Sequence, residues 1–388
     1  MKDRHIVIIS GSRAEWGLLQ PVTRELLQLQ NRVSIIATAS HLHSQSGFSI
    51  SEFNELQGAE LIEAAITPED ADASDENLML LTMSNAFKVL PDKLKHLNPD
   101  LVLVLGDRYE IFAAASVCRL IGIRIAHISG GEVTIGAVDD CLRHCISKLS
   151  DLHFTATETY RQRVIQLGEA PERVYNVGEL ALADLHKTPF TPVSDLEKLL
   201  GQSLKRFFLI TVHPETCTPG AGLRIIEALF SIFSEVYPDY TLVFTGANAD
   251  PEGKMINSTI MNYVSGRPGA TFINSLGRLN YLSLARLAGC VIGNSSSGIA
   301  EVPALPAPVV NIGRRQLGRP HGKAVLSVPL DRQQIASAIA TAIQPSFIAG
   351  ISQADSPYEG EDAARKIAAV VTMLDLSQIT REKGFCDL

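Results

Sequence analysis

Polar, glycine-rich segments follow several short apolar runs in this sequence, and they hold the residues that could do chemistry. Asp107 and Arg108 come directly after the apolar run 101–105. A carboxylate beside a cation can act as a general acid or base. The structural alternative is an aspartate that caps a helix beside a surface arginine. Both interpretations place Asp107 at the end of a strand.

Three carboxylates lie within nine residues after the next apolar run, and they are Glu132, Asp139 and Asp140. Carboxylates in a glycine-containing loop suit proton transfer, although Asp139 or Asp140 could simply cap the following helix. No HxxxH pair or cluster of histidines accompanies them, so we expect no metal site. The glycine fingerprint of dinucleotide binding is also absent, and we expect no cofactor.

A second group of candidates suits the binding of a phosphate. The segment 293–298, GNSSSG, precedes a helix-like stretch, where hydroxyls and free N–H groups bind anions. Glu301, one turn later, could accept hydrogen bonds from ribose hydroxyls. Arg314, Arg315 and Arg319 lie in one loop and could meet a phosphate. A serine-rich helix cap and a solvated basic loop are the structural alternatives.

Two more candidates follow the first apolar run of each half of the chain. Arg13 stands after Gly11-Ser12 and could meet an anion. His213, in the segment TVHPET, could serve as a base or as a phosphate contact. An ordinary strand-to-helix turn and a hydrogen-bonded structural histidine are the alternatives.

Alternating apolar runs and amphipathic segments must position these residues. In the first half the pattern predicts strands over 5–9, 33–39, 101–105, 123–128 and 152–155, and helices over 16–30, 76–96, 109–121, 138–149 and 157–167. In the second half it predicts strands over 207–212, 240–245, 270–273, 289–293, 308–312 and 325–328, and helices over 221–236, 254–265, 279–288, 296–303, 331–343 and 361–375. Strands that are apolar throughout are typical of a parallel sheet covered on both faces. We therefore expect an α/β fold of two doubly wound, Rossmann-like domains with a cleft between them.

Composition narrows the class of protein. The chain has 388 residues, of which 46% are hydrophobic and 20% charged, and its net charge is −8. An acidic balance argues against broad nucleic-acid binding, and no apolar stretch approaches the roughly 20 residues that span a bilayer. The six cysteines include no CxxC pair. We expect a cytoplasmic protein with neither nucleic-acid nor membrane partners.

Taken together, the motifs resemble the hydrolysing UDP-N-acetylglucosamine 2-epimerase family. The shared segments are GSRAEWGLL, GDRYE, HISGGEVTIGAVDDCLRHCISKLSDLHF, VHPET, GNSSSG and NIGRRQLGR, in that order. The long block from His127 to Phe154 together with GNSSSG is highly specific. The resemblance implies the GT-B-like fold of nucleotide-sugar glycosyltransferases. It implies an N-terminal domain over 1–180, a nucleotide-binding domain over 181–360, and a C-terminal helix within 361–388 that packs back on the first.

The resemblance also implies a reaction. In that family a proton leaves carbon 2 of the sugar while UDP departs, and water adds to the glycal-like intermediate with inversion at carbon 2. We expect conversion of UDP-N-acetylglucosamine to N-acetylmannosamine and UDP, for sialic acid synthesis. The alternatives are the same reaction on UDP- or GDP-N,N'-diacetylbacillosamine, for legionaminic acid, and a glycosyltransferase of the same shape. A nucleotide sugar is the expected ligand, and a homo-oligomer, dimer or tetramer, the expected assembly.

Individual roles follow from the same resemblance. Asp107 and Asp139 match proton-transfer carboxylates, with Asp140 alongside and His213 counted with the catalytic group. The family's remaining acid/base position falls on Ser129, where animal members carry glutamate and many bacterial members histidine. Glu132, three residues on, could take over part of that role. The residues that match nucleotide or substrate contacts are Arg13, Arg108, His213, Asn248, Leu276, Ser295, Ser296, Glu301 and Arg315.

Overall fold

The computed structural model describes residues 4–43, 49–69, 77–135, 137–183, 185–215, 218–247, 252–352, 355–379 and 382–387. The chain divides into two compact units. The first consists of Met1–Glu132, Asp139–Ala183 and Glu359–Leu388, and the second of Val133–Val138 and Asp184–Tyr358. Across the described ranges, none of the helices combines the length and apolar character needed to cross a membrane.

The first unit is a parallel sheet of seven strands with helices between them. Its strands are β1 (His5–Ser10), β2 (Arg32–Thr38), β3 (Ala59–Ala64), β4 (Leu101–Leu105), β5 (Ile125–Ile128), β6 (Leu152–Thr155) and β7 (Val174–Asn176). Its helices are α1 (Arg13–Gln28), α2 (Leu78–Leu97), α3 (Tyr109–Ile121), α4 (Asp139–Leu149), α5 (Glu158–Gln166) and α13 (Ala363–Met373). The strand order is β3-β2-β1-β4-β5-β6-β7. Continuous apolar strands such as β1 and β4 are buried along their whole length, as a sheet covered on both faces requires.

The sequence pattern missed the two edge strands of this sheet. β3 reads AELIEA and is mostly exposed or half-buried, and β7 has only three residues. Neither shows a continuous apolar run, because an edge strand is covered less completely than a central one. The last helix, α13, contributes Ile367 and Val371 to the core cluster that also holds Trp16 of α1.

The second unit is a parallel sheet of six strands. They are β8 (Phe207–Thr211), β9 (Thr241–Thr245), β10 (Ala270–Ile273), β11 (Cys290–Gly293), β12 (Val309–Ile312) and β13 (Val325–Val328), in the order β10-β9-β8-β11-β12-β13. The helices are α6 (Val193–Leu200), α7 (Ala221–Glu235), α8 (Gly253–Ser265), α9 (Gly277–Leu287), α10 (Ser297–Ala300), α11 (Arg332–Ala342) and α12 (Pro345–Ala349). The helix predicted over 296–303 is shorter, since a 3₁₀ turn at Val302–Ala304 replaces its end where Pro303 lacks an N–H group.

Both sheets reverse their strand order at one point. In the first unit the reversal lies between β1 and β4, and in the second between β8 and β11. At such a switch point the connections leave in opposite directions and open a crevice beyond the carboxyl ends of the strands, where ligands of doubly wound sheets bind. The segments that begin at Gly11 and Gly106 border the first crevice, and those that begin at Val212 and Asn294 border the second.

Candidate active site

An arginine joins two of the predicted carboxylates in the first unit. Helix α4 begins with Asp139 and Asp140, and Arg143 lies one turn further on. Arg143 Nη2 donates a hydrogen bond to Asp107 Oδ2, and Nη1 lies 3.9 Å from Asp140 Oδ1. Because the Arg143 side chain is buried, its charge orients Asp107 beside the N-terminus of α4. The sequence analysis gave Arg143 no role, although its helical spacing from Asp139 was a usable signal.

A buried glutamate fixes Arg108. Arg108 Nε donates to Glu110 Oε1 at 2.6 Å, and the Glu110 side chain is fully buried. Glu15 on α1 accepts a hydrogen bond from the Gly11 N–H at 2.7 Å. Glycine is required there, since a Cβ at Gly11 would lie 2.7 Å from Glu110 Cγ. The turn after β1 and the turn after β4 are therefore packed against each other through two buried carboxyl groups.

Burial and the neighbouring Glu110 raise the pKa of Glu15 to about 8. Glu15 is therefore mostly protonated at neutral pH. The sequence analysis named neither glutamate as a functional candidate. Glu15 lies one residue before the helix predicted over 16–30, whereas the structure begins α1 at Arg13 and buries Glu15 within its first turn.

The other candidates of this unit have varied surroundings. Arg13 is largely exposed and pairs with Glu52 Oε1 at 2.6 Å. Glu132 is buried, whereas Asp139 is half-buried. Ser129 adopts a left-handed conformation with φ of 66°, a strained geometry that fixes the turn after β5.

A buried histidine of β5 connects the turn after β4 with helix α4. His127 contacts the Gly106 carbonyl through Nε2 at 2.7 Å and Ser147 Oγ through Nδ1 at 3.1 Å. Burial lowers the pKa of His127 to about 3, so the imidazole is neutral. A neutral ring can donate to the carbonyl and accept from the serine, which ties the β4 turn to α4.

In the second unit one asparagine connects three predicted loops. Asn294 accepts a hydrogen bond from the His213 N–H at 2.7 Å and donates to the His213 carbonyl at 2.9 Å. Its own carbonyl accepts from Arg315 Nη1 at 3.3 Å and Gln316 Nε2 at 2.9 Å. Asn294 itself is fully buried, and its bond with Gln316 is shielded from water. The predicted segments VHPET, GNSSSG and NIGRRQLGR thus meet at Asn294, the first through its side chain and the last through its backbone carbonyl.

Glu215 fixes the arginine loop from the other side. Its Oε1 accepts hydrogen bonds from the backbone N–H groups of Arg314 and Arg315, at 3.0 and 3.2 Å. Gly313 has φ of 86°, and a Cβ there would lie 2.5 Å from the same oxygen. The carboxylate therefore holds the turn that presents Arg315. The sequence analysis included Glu215 in the VHPET motif but predicted no role for it.

His213 is a neutral group in this environment. Burial, with a smaller contribution from Arg315, lowers the pKa of His213 to about 3. An imidazole with so little affinity for a proton is a poor base at pH 7. It suits a hydrogen bond to phosphate better than proton abstraction.

The serine segment begins at a glycine that no other residue could replace. Gly293 has φ of 144°, and a Cβ there would lie 1.8 Å from the Thr211 carbonyl oxygen. Ser295 is half-buried and Ser296 exposed at the N-terminus of α10. A small pocket beside them is lined in part by Thr211, Ser295 and Asn311. The serine hydroxyls here can donate hydrogen bonds to an anion.

The remaining predicted contacts, Glu301, Leu276 and Asn248, also belong to the second half of the chain. Burial raises the pKa of Glu301, and Arg278 Nε lies 3.9 Å from Glu301 Oε1. Leu276 is buried at the N-terminus of α9. Asn248 lies outside the described residues. Within the described part of the chain, no three His, Cys, Asp or Glu side chains are grouped so that they could hold a metal ion.

Comparison with known proteins shows the family. A family model described as UDP-N-acetylglucosamine 2-epimerase matches residues 25–372. The chain belongs to this epimerase family. The resemblance noted from the motifs is therefore confirmed. Members of the family are UDP-sugar 2-epimerases.

Two curated relatives carry a more specific name. The chain is 40% identical over 324 residues to the GDP/UDP-N,N'-diacetylbacillosamine 2-epimerase (hydrolyzing) of Campylobacter jejuni, which covers 82% of this chain and 83% of that one. It is 30% identical over 345 residues to the UDP-N,N'-diacetylbacillosamine 2-epimerase (hydrolyzing) of Legionella pneumophila, with 88% and 89% coverage.

A solved structure shares the fold. The UDP-GlcNAc 2-epimerase of Neisseria meningitidis, bound to UDP-GlcNAc, superposes with a TM-score of 0.78 at 19% identity and covers 95% of this chain and 99% of that one. The two parallel α/β sheets and this neighbour confirm the predicted GT-B-like fold class.

Proposed function

We propose that this protein is a hydrolysing 2-epimerase of N,N'-diacetylbacillosamine, a 2,4-diacetamido-2,4,6-trideoxy sugar, linked to UDP or GDP. The names of the Campylobacter and Legionella relatives support this substrate. They favour the alternative over the reaction that we expected first, because UDP-N-acetylglucosamine has support only at the level of the family. The products are the free nucleoside diphosphate and the sugar inverted at carbon 2.

One contrast within the molecule carries the proposal. The first switch point holds carboxylates paired with arginines, such as Asp107 with the buried Arg143. The second holds backbone N–H groups, serine hydroxyls and Arg315 around Asn294. Elimination of a diphosphate requires both kinds of group, since one must move a proton and the other must stabilise the leaving charge.

The carboxylates supply the proton transfers. In the first step a base takes the proton from carbon 2, its electron pair forms the double bond between carbons 1 and 2, and the bond from carbon 1 to the diphosphate oxygen breaks. In the second step water adds to carbon 1, and a proton is delivered to the opposite face of carbon 2. We assign these transfers to Asp107, Asp139, Asp140 and Glu132. Arg143 acts as a positioning residue for Asp107.

The leaving group is bound through charge and backbone. Arg315, Ser295 and Ser296 contact the diphosphate, and the neutral His213 donates a hydrogen bond to it. Glu301 accepts from the ribose. In the first unit, Arg108 is held by Glu110 and is assigned a contact with the phosphates or the sugar. Arg13, Leu276 and Asn248 complete the assigned contacts.

The proposal is tested by measuring the turnover of three nucleotide-sugar donors in the absence of an acceptor. UDP-N-acetylglucosamine and the UDP and GDP forms of N,N'-diacetylbacillosamine are each incubated with the protein in D₂O, and free nucleoside diphosphate and the sugar are followed by NMR. We expect diphosphate release from a diacetylbacillosamine donor, with deuterium at carbon 2 and inverted configuration. Faster turnover of UDP-N-acetylglucosamine would overturn the substrate assignment. Release that requires an added acceptor would indicate a glycosyltransferase.

A further inference from the structure

The six residues Val133–Val138 stand between two of the proposed catalytic groups. Glu132 precedes them and Asp139 follows them, and both of those carboxylates belong to the first unit. Val133–Val138 itself belongs to the second unit. A contact that holds this segment therefore influences where the chain leaves Glu132 and where it enters α4.

Arg319 holds the segment through its side chain. Its Nε donates to the Val133 carbonyl at 2.8 Å, and its Nη2 donates to Thr134 Oγ1 at 3.2 Å. Thr134 is buried, and its carbonyl accepts the Ala137 N–H at 2.9 Å, which closes a turn. Gly318 packs on the same segment, since a Cβ there would lie 3.3 Å from Val133 Cγ2 and 3.5 Å from Ile135 Cδ1.

The backbone that carries Arg319 is itself fixed. The Arg319 N–H donates to the Gln316 carbonyl at 3.2 Å, and Gln316 Nε2 donates to the Asn294 carbonyl. Upstream in the same loop, Glu215 holds the Arg315 N–H. A continuous set of hydrogen bonds thus runs from the proposed diphosphate loop to Val133 and Thr134.

This arrangement distinguishes the arginines of one loop. The three arginines of NIGRRQLGR suggested a phosphate site, and the structure commits Nε and Nη2 of Arg319 to Val133 and Thr134. A guanidinium that donates two bonds within one segment acts as a clamp. Arg315 and Arg319 consequently have different tasks within one loop.

We propose that Arg319 is a positioning residue of the epimerase reaction, which clamps Val133 and Thr134 and thereby aligns Glu132 and Asp139 for proton transfer. The proposal rests on the function proposed above. Small displacements of a proton-transfer group reduce the rate steeply, whereas ground-state binding of the nucleotide does not require those carboxylates. Loss of Arg319 should therefore lower kcat much more than nucleotide affinity.

Four variants test the clamp: R319A, R319K, T134V and, as the control, R206A, which removes an exposed arginine of the same unit. In R319A we expect kcat to fall about 10- to 100-fold, with less than threefold change in KM and in the Kd for UDP. R319K keeps the positive charge but has a single donor nitrogen, which cannot reach both acceptors in the same way, and it should recover part of kcat. T134V loses one acceptor while the chain keeps its shape, and we expect a loss of about threefold. R206A should match the wild type.

Hydrogen exchange of residues 132–140 gives a readout independent of activity. We expect faster exchange there in R319A, an intermediate rate in R319K and no change in R206A. Unchanged exchange in R319A would overturn the proposal even if the wild type releases no diphosphate from any donor. That inactivity would overturn the proposed function alone. A 10-fold weaker Kd for UDP with unchanged exchange would make Arg319 a phosphate ligand, and faster exchange with normal kcat would make it a structural contact only.

Discussion

The two switch points of this protein have the same topology and different chemistry. In both sheets the first strand lies beside the fourth, and the candidate residues follow those strands. In the first unit, acids and arginines pair directly, as Asp107 does with Arg143 and Glu110 with Arg108. In the second unit the loops are joined mainly through backbone groups, which Asn294 and Glu215 bind.

Under the proposed function, this difference divides the work of the reaction between the two switch points. Carboxylates that move protons need cations to align them, and burial makes such pairs stiff. A diphosphate site needs N–H groups and an arginine aimed at the ligand, so its own loops must be fixed by other acceptors. The fold supplies the crevice, and the side chains decide whether that crevice transfers protons or binds anions.

The largest effect that tests this comparison is expected at Asp107. D107N keeps the shape of the side chain and removes the negative charge that Arg143 aligns. We expect kcat to fall by about 100-fold or more, the scale of general acid–base catalysis, with little change in nucleotide affinity. Steady-state kinetics with the preferred donor measures the loss, and titration of UDP confirms that the variant folds and binds. A kcat close to that of the wild type would place the proton transfer elsewhere.

Arg315 should show the opposite behaviour. R315A removes the charge-assisted contact to phosphate that we propose, and such a contact is worth about 1.5–3 kcal/mol, or roughly 10- to 100-fold in the Kd for UDP. R314A is the matched comparison, because Arg314 is exposed and its backbone N–H, which bonds Glu215, remains in the variant. Calorimetric titration of UDP should weaken for R315A and change less than threefold for R314A. Equal affinities in the two variants would remove Arg315 from the diphosphate site.

A smaller effect is expected from Glu15, through the dependence of stability on pH. Its pKa is raised to about 8 from 4.5, so the folded chain binds a proton that the unfolded chain has released. This contribution to stability is complete below about pH 4.5 and is lost as pH rises through 8. In E15Q the amide cannot titrate. The difference in unfolding free energy, wild type minus E15Q, should therefore decrease between pH 4.5 and 8.

Urea unfolding at several pH values measures that difference. The comparison of the wild type with E15Q is necessary because other buried groups change the pH dependence of stability in the opposite direction. Burial lowers the pKa of His41 to about 4 and of His127 to about 3, which makes stability rise with pH up to about 6.5. These histidines are present in both proteins and cancel. E63Q, which changes an exposed carboxylate in the same way, is the matched control for the substitution itself. A flat difference for E15Q would mean that Glu15 is ionised in the folded chain.

The central elements of the fold could be predicted from the sequence because their signals are local. A buried parallel strand such as β4 is apolar throughout, and an amphipathic helix repeats its apolar positions. Edge strands such as β3 lack that signature. The assignment of Val133–Val138 to the second unit was also not predicted, since no local pattern records which core a short loop joins.

The candidate site divides in the same way. The sequence by itself placed Asp107, His213 and the GNSSSG segment at the ends of strands, because strand, turn and helix follow one another within a few residues. It did not determine which partners these groups would meet. Arg143 beside Asp107, Asn294 against His213 and Arg319 on Val133 are contacts between segments far apart in the chain. The raised pKa of Glu15 likewise depends on burial beside Glu110. Charge pairing and burial are properties of three-dimensional neighbours, and only the tertiary structure decided them.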